Sequence, residues 1–81
     1  MKFYIETIEQ VRQEDDTLIE YGKLEKFNDE TSALVSFYQK LTNVANSKAH
    51  TYLNIKIMNS YGSVIKYDQL GKYVVPSEIE V

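Results

Sequence analysis

His50 is the only histidine in this sequence, and imidazole is the commonest acid–base group of catalytic sites, which makes it the first place to look for such chemistry. Only Thr51 stands beside it, and no serine or cysteine nucleophile arrangement is visible around it. Its surroundings read as those of a turn or cap histidine. Glu14-Asp15-Asp16 gathers carboxylates that suit a hard cation, but lacks the alternating spacing and the glycine of a calcium loop. It reads as a solvated charge cluster. Zinc needs roughly four nitrogen, sulfur or carboxylate ligands, and the chain offers a single histidine and no cysteine. Gly22, Gly62 and Gly71 stand apart, so no glycine-rich phosphate loop is present. The residues therefore predict no enzyme, no cofactor and no metal centre.

What chemistry remains lies in charge and in aromatic surface. Residues 1–30 hold nine acids (Glu6, Glu9, Glu14, Asp15, Asp16, Glu20, Glu25, Asp29, Glu30) against four bases. Residues 31–75 hold Asp68 alone against Lys40, Lys48, Lys56, Lys66 and Lys72. Such a division marks either a surface for nucleic acid or acidic protein, or two halves that attract each other within or between chains. Five lysines without an arginine make a poor phosphate-binding array, which favours the second reading. Seven tyrosines among ten aromatics suit an interface, although a core this small must use some of them.

The elements that position these residues follow from the apolar pattern. Residues 2–13 are rich in β-branched and aromatic types, with Phe3 and Ile5 on one parity and Ile8 on the other. That strand is twisted, bulged, or apolar on both faces. Glu14-Asp15-Asp16 marks a turn. Residues 17–27 resume strand character, with Ile19 and Tyr21 on one face and the apolar parity shifting to Leu24 after Gly22. A glycine at such a shift predicts a β-bulge. Asn28 or Asp29 caps a helix whose stripe is Leu34, Phe37, Tyr38, Leu41, Val44 and Ala45, ending at Asn46-Ser47-Lys48. Its other face (Ser32, Ser36, Gln39, Lys40, Asn43, Asn46) is polar and nearly uncharged, either ordinary solvated surface or a contact surface.

Leu53, Ile55 and Ile57 then alternate with Tyr52, Asn54, Lys56 and Met58, and Asn59-Ser60-Tyr61-Gly62 suits a three-residue hairpin loop with Gly62 left-handed. Pairing Asn59 with Ser63 sets Ile57 against Ile65 and Ile55 against Tyr67 on the helix side. It sets Met58 against Val64 and Lys56 against Lys66 on the outer side. Leu70-Gly71 bends or breaks the last strand, and Tyr73-Val74-Val75 continue it to Pro76, with a loose tail over 76–81.

This is a ββαββ pattern of the α+β class: a four-stranded, mainly antiparallel sheet with one helix packed on one face and the strand order open. Residues 1–75 form the single domain. The expected core is Phe3, Ile5, Ile19, Leu34, Phe37, Leu41, Val44, Leu53, Ile55, Ile57 and Ile65. One helix covers one sheet face, so the outer face is the candidate binding site, presenting Tyr52, Lys56, Met58, Val64 and Lys66. A core of this size supplies about 3–5 kcal/mol and usually needs a staple. With no disulfide or metal available, association with a second copy is the expected staple, and a homodimer the expected state.

The runs YIETIEQVRQEDDT, AHTYLNIKI and SVIKYDQLGKY resemble short uncharacterised proteins of phages and mobile elements from low-GC Gram-positive bacteria. The resemblance covers most of the chain through general texture rather than a diagnostic motif. It implies a small accessory protein, leans toward binding or inhibition of a host factor with no named target, and supplies no activity or functional residue. No apolar run approaches the ~20 residues of a membrane span, so the expectation is a cytoplasmic protein. Its function class is non-catalytic protein binding or self-assembly. The alternative is single-stranded nucleic-acid binding on the basic second hairpin, with Tyr52 or Tyr61 stacking on bases.

Overall fold

Four antiparallel strands and one helix follow the order β1 (Phe3–Arg12), β2 (Leu18–Phe27), α1 (Glu30–Ala45), β3 (His50–Asn59), β4 (Val64–Gly71) in a computed structural model that describes residues 1–75. The strands lie side by side as β2-β1-β3-β4. The expected ββαββ architecture is therefore the observed one, with β1 and β3 central. The tail expected over 76–81 lies outside the described residues.

Strand parity sets the core. Phe3, Ile5 and Thr7 of β1 share the helix side with Leu53, Ile55 and Ile57 of β3, where Ile5 pairs with Ile57 and Thr7 with Ile55. The helix buries Ala33, Phe37 and Val44 against them, with Leu34 and Leu41 alongside. Asp29 caps α1, its carboxylate accepting from the Ser32 N–H at 2.7 Å and the Ser32 hydroxyl at 3.0 Å. These bonds satisfy an otherwise unpartnered donor of the first turn and hold the Asp29 carboxyl below its usual range. Tyr38 and Ala45, expected on the buried stripe, lie at its exposed margin.

β1 resolves its mixed parity by being apolar on both faces: Ile8 points outward while Ile5 is buried. Gly22 marks no bulge, because β1 and β2 pair in unbroken register from Phe3↔Phe27 to Arg12↔Leu18. Leu24 simply lies on the outer face, and Ile19 on the helix side beyond the helix's reach. Ile19 is 39% exposed and so leaves the expected core.

The second hairpin closes as its residues predict and then departs from the predicted register. The Asn59 N–H donates to Ser63 O, the Gly62 N–H donates to Asn59 O, and Gly62 has φ +81°. Met58 pairs with Val64, but Ile57 pairs with Lys66, so Ile65 is an extra residue in β4. The parity of everything after it is reversed. Ile55 meets Asp68 rather than Tyr67, Lys56 meets Tyr67 rather than Lys66, and Ile65 is 41% exposed rather than part of the core. Packing explains the bulge. It places Leu70 opposite the fully buried Leu53 and against the core, a position that Gln69 would otherwise take. It also brings the Lys66 ammonium to 5.4 Å from the centre of the Tyr38 ring.

Candidate protein-binding face of the sheet

The outer face is laid out in rows across the four strands. Lys26, Tyr4, Met58 and Val64 form one row, and Leu24, Glu6, Lys56 and Tyr67 the next. Gly22, Ile8, Asn54 and Gln69 follow, then Glu20, Gln10, Tyr52 and Gly71. Tyr52, Lys56, Met58 and Val64 thus share the face predicted for them. Lys66 does not: the Ile65 bulge turns it to the helix side, over Tyr38.

The centre of the face is a paired charge inside apolar surroundings. Lys56 Nζ lies 3.1 Å from Glu6 Oε1, so the acid that satisfies this lysine comes from its own chain. Around the pair stand Leu24, Val64 and Tyr67, each more than half exposed, and Ile8 beside them. The Tyr67 hydroxyl accepts from Asn54 Nδ2 at 3.1 Å and donates to Gln69 Oε1 at 2.9 Å. These bonds hold its ring against the sheet. Gly22, beside Ile8, leaves a shallow depression bordered by Ile8 and Leu24.

One end of the face is covered by the chain itself. β4 does not continue through Tyr73-Val74-Val75; it stops at Gly71, where φ is +71°, and the chain crosses the last row of the sheet. The Lys72 N–H donates to Thr51 O at 2.9 Å. The Tyr73 ring meets Tyr52 edge-on at 5.5 Å, and its hydroxyl donates to Glu20 Oε2 at 3.0 Å. That bond raises the Tyr73 phenol above its ordinary pKa. Gln10, only 1% exposed, holds Val74 by both main-chain groups. Tyr52, expected to be open for binding, is therefore partly beneath this strap. No signal in the sequence marks Gln10, because a glutamine at an outward parity reads as solvated surface.

On the helix side, His50 gathers partners from distant parts of the chain. Glu9 Oε1 lies 2.7 Å from His50 Nε2, and Lys40 Nζ lies 2.6 Å from Glu9 Oε2. Ser47 Oγ lies 2.8 Å from His50 Nδ1. An ionised Glu9 can only accept, so His50 Nε2 carries a proton and donates to it; in the neutral ring Nδ1 then accepts the Ser47 hydroxyl. A hydroxyl, an imidazole and a carboxylate thus stand in line, the arrangement in which an imidazole can move a serine proton. The same Ser47 oxygen takes the Ala49 N–H at 3.3 Å, the bond of a turn that ends the helix. Burial would raise the Glu9 carboxyl, but hydrogen bonds and charge from Lys40 and His50 outweigh it and hold Glu9 below its usual range. Sequence reasoning missed this cluster. Its one visible signal is an acid, Glu9, on the apolar parity of Ile5 and Thr7.

Among the described residues no group of histidine, cysteine or carboxylate side chains is placed to hold a metal ion. No helix among them is long and apolar enough to cross a membrane. Comparison with known proteins finds no family model, curated protein or solved structure that matches the chain.

Proposed function

We propose that this chain is a small non-catalytic protein-binding module that assembles with copies of itself and presents its outer sheet face to a partner. The observation that supports this reading is the exposed cluster of Leu24, Ile8, Val64 and Tyr67 around the Glu6–Lys56 pair. Surface of this kind is costly to leave in water and is the usual mark of a contact site. On the resemblance noted in the sequence, the module is a cytoplasmic accessory protein of a phage or mobile element, and its partner a host protein.

Nucleic-acid binding has less behind it. Its lysines are dispersed, with Lys56 neutralised by Glu6 and Lys66 on the opposite face. A phosphate track needs several free cations in line.

The experiment is solution mass across a wide concentration range, at low and high salt, with and without a single-stranded oligonucleotide. The expected result is a mass that rises with protein concentration and ignores the oligonucleotide. A single-chain mass that rises only with oligonucleotide at low salt overturns the reading.

A further inference from the structure

The two edges of the sheet are unequal. β4 carries the Ile65 bulge and ends in the Gly71 turn, two devices that blunt an edge against pairing. β2 is ten residues long, in unbroken register with β1, and carries neither.

Which of its backbone groups are free follows from the hairpin. The Gln13 N–H donates to Thr17 O, and hydrogen-bonded pairs recur at every second residue from there. Val11↔Ile19, Glu9↔Tyr21, Thr7↔Lys23 and Ile5↔Glu25 are therefore the bonded pairs. The Arg12 N–H donates to Ala49 O, toward β3, as this phase requires. The N–H and C=O groups of Glu20, Gly22, Leu24 and Lys26 consequently point away from the sheet. Among the described residues no backbone group of another element meets them.

We infer that two copies of this chain join along β2, antiparallel about a twofold axis at Leu24, and so extend the sheet through the interface. This rests on the self-assembling half of the reading above and names the contact that makes it. The side chains select both the occupant and the register. With Leu24 on the axis, Lys23 of each copy stands opposite Glu25 of the other. Lys23 already lies 3.4 Å from Glu25 in its own chain, so the four charges form a square of alternating sign. Tyr21 stands opposite Phe27 on that same side. On the outer side the two Leu24 side chains meet each other. Lys26 lies over Gly22, where even a Cβ would meet nothing within 4 Å in the single chain, within diagonal reach of Glu20. No like charges stand opposite each other. An axis at Lys23 or at Glu25 sets two like charges face to face, and Leu24 is the axis that places Lys23 opposite Glu25 at both symmetric positions. Leu24 and Tyr21, 62% and 48% exposed in the single chain, are the apolar groups this contact covers. The helices of the two copies then share one side of the extended sheet. The two outer faces form one continuous surface on the other, doubling the area open to a partner.

The test is light-scattering mass on the full chain and its variants. The parent is expected at twice the 9.4 kDa chain mass, dissociating on dilution. Leu24→Pro removes an outward N–H that β1 does not use and is expected to give single chains with the circular dichroism of the parent. Lys23→Glu is expected to weaken association roughly tenfold, as attraction becomes repulsion at both symmetric sites. Lys23→Glu with Glu25→Lys is expected to restore it. A dimer that persists in Leu24→Pro and Lys23→Glu overturns this interface while leaving self-assembly standing. A parent that remains a single chain at every concentration overturns self-assembly and the interface together.

Discussion

Gln10 grips Val74 as a neighbouring strand would. Its Oε1 accepts the Val74 N–H at 2.9 Å, and its Nε2 donates to the Val74 carbonyl at 2.7 Å. The Thr51 hydroxyl donates to the same Oε1 at 2.6 Å, and the Val74 N–H, which can only donate, fixes which end of the amide is oxygen. One side chain thus supplies both halves of a ladder rung to a segment that has left the sheet. Gln10→Ala is expected to cost about 1–2 kcal/mol, two ordinary hydrogen bonds in net terms. Val74 amide hydrogen exchange is expected to rise far more than exchange in β1 or β3. Equal protection of Val74 in the parent and the variant would show that the strap is held by something else.

Gly71 and Gly62 both have positive φ, and they are expected to respond differently to the same substitution. A Cβ on Gly62 meets nothing within 4 Å, so Gly62→Ala carries only the left-handed penalty of about 1–2 kcal/mol. A Cβ on Gly71 lies 2.3 Å from the Thr51 carbonyl oxygen, which also accepts the Lys72 N–H. Gly71→Ala must therefore move the strap as well as strain the turn. At about 4–8 °C per kcal/mol for a domain of this size, its melting temperature should fall clearly below that of Gly62→Ala. Matching melting curves for the two variants would refute the tight approach at Gly71.

Much of this architecture was legible in the sequence because single elements carry their own evidence. The helix could be read from Leu34, Phe37, Leu41 and Val44 at helical spacing behind the Asp29 cap, and the β3 core face from Leu53, Ile55 and Ile57. The Gly62 loop was equally plain. The Ile65 bulge was not, because Val64 and Ile65 are adjacent and apolar, so either parity finds an apolar residue at the start of β4. The choice between registers is made further along, by whether Leu70 or Gln69 faces Leu53, which is a tertiary decision. For that reason alone the sequence parity sets Lys66 on the outer face, whereas the bulge turns it to the helix side. The strap is not legible in the sequence because Tyr73-Val74-Val75 has strand composition, and the deciding residue, Gln10, lies 64 positions away from Val74. Glu9 and His50 meet across 41 positions for the same reason.

The Glu9 cluster makes a prediction about acid. Glu9 is held below its ordinary carboxylate value of 4.5 because the bonds to Lys40 and His50 outweigh the penalty of burial. A carboxyl depressed in the folded state adds stability that is fully present above its unfolded pKa and is lost as pH falls through the folded one. Unfolding free energy should therefore decline as pH drops below about 4.5. Glu9→Gln should flatten that part of the decline while lowering stability at neutral pH, where it leaves Lys40 without its partner. Parallel pH profiles for the parent and Glu9→Gln would remove Glu9 as a source of acid sensitivity.

Ile5 and Ile8 are the same residue type three positions apart on one strand, and they report on opposite faces. Ile5 is 2% exposed in the core and Ile8 is 36% exposed beside Gly22. Ile5→Val should cost about 0.5–1.5 kcal/mol, the ordinary effect of removing one buried methyl group. Ile8→Val should stay within about 0.5 kcal/mol, as surface changes do. The difference is large on the scale of a domain held together by about 3–5 kcal/mol, and urea unfolding of dilute single chains resolves it. Equal losses at the two positions would mean that Ile8 is packed as tightly as Ile5. The outer face would then be covered rather than open, and no partner could use it without first displacing what lies there.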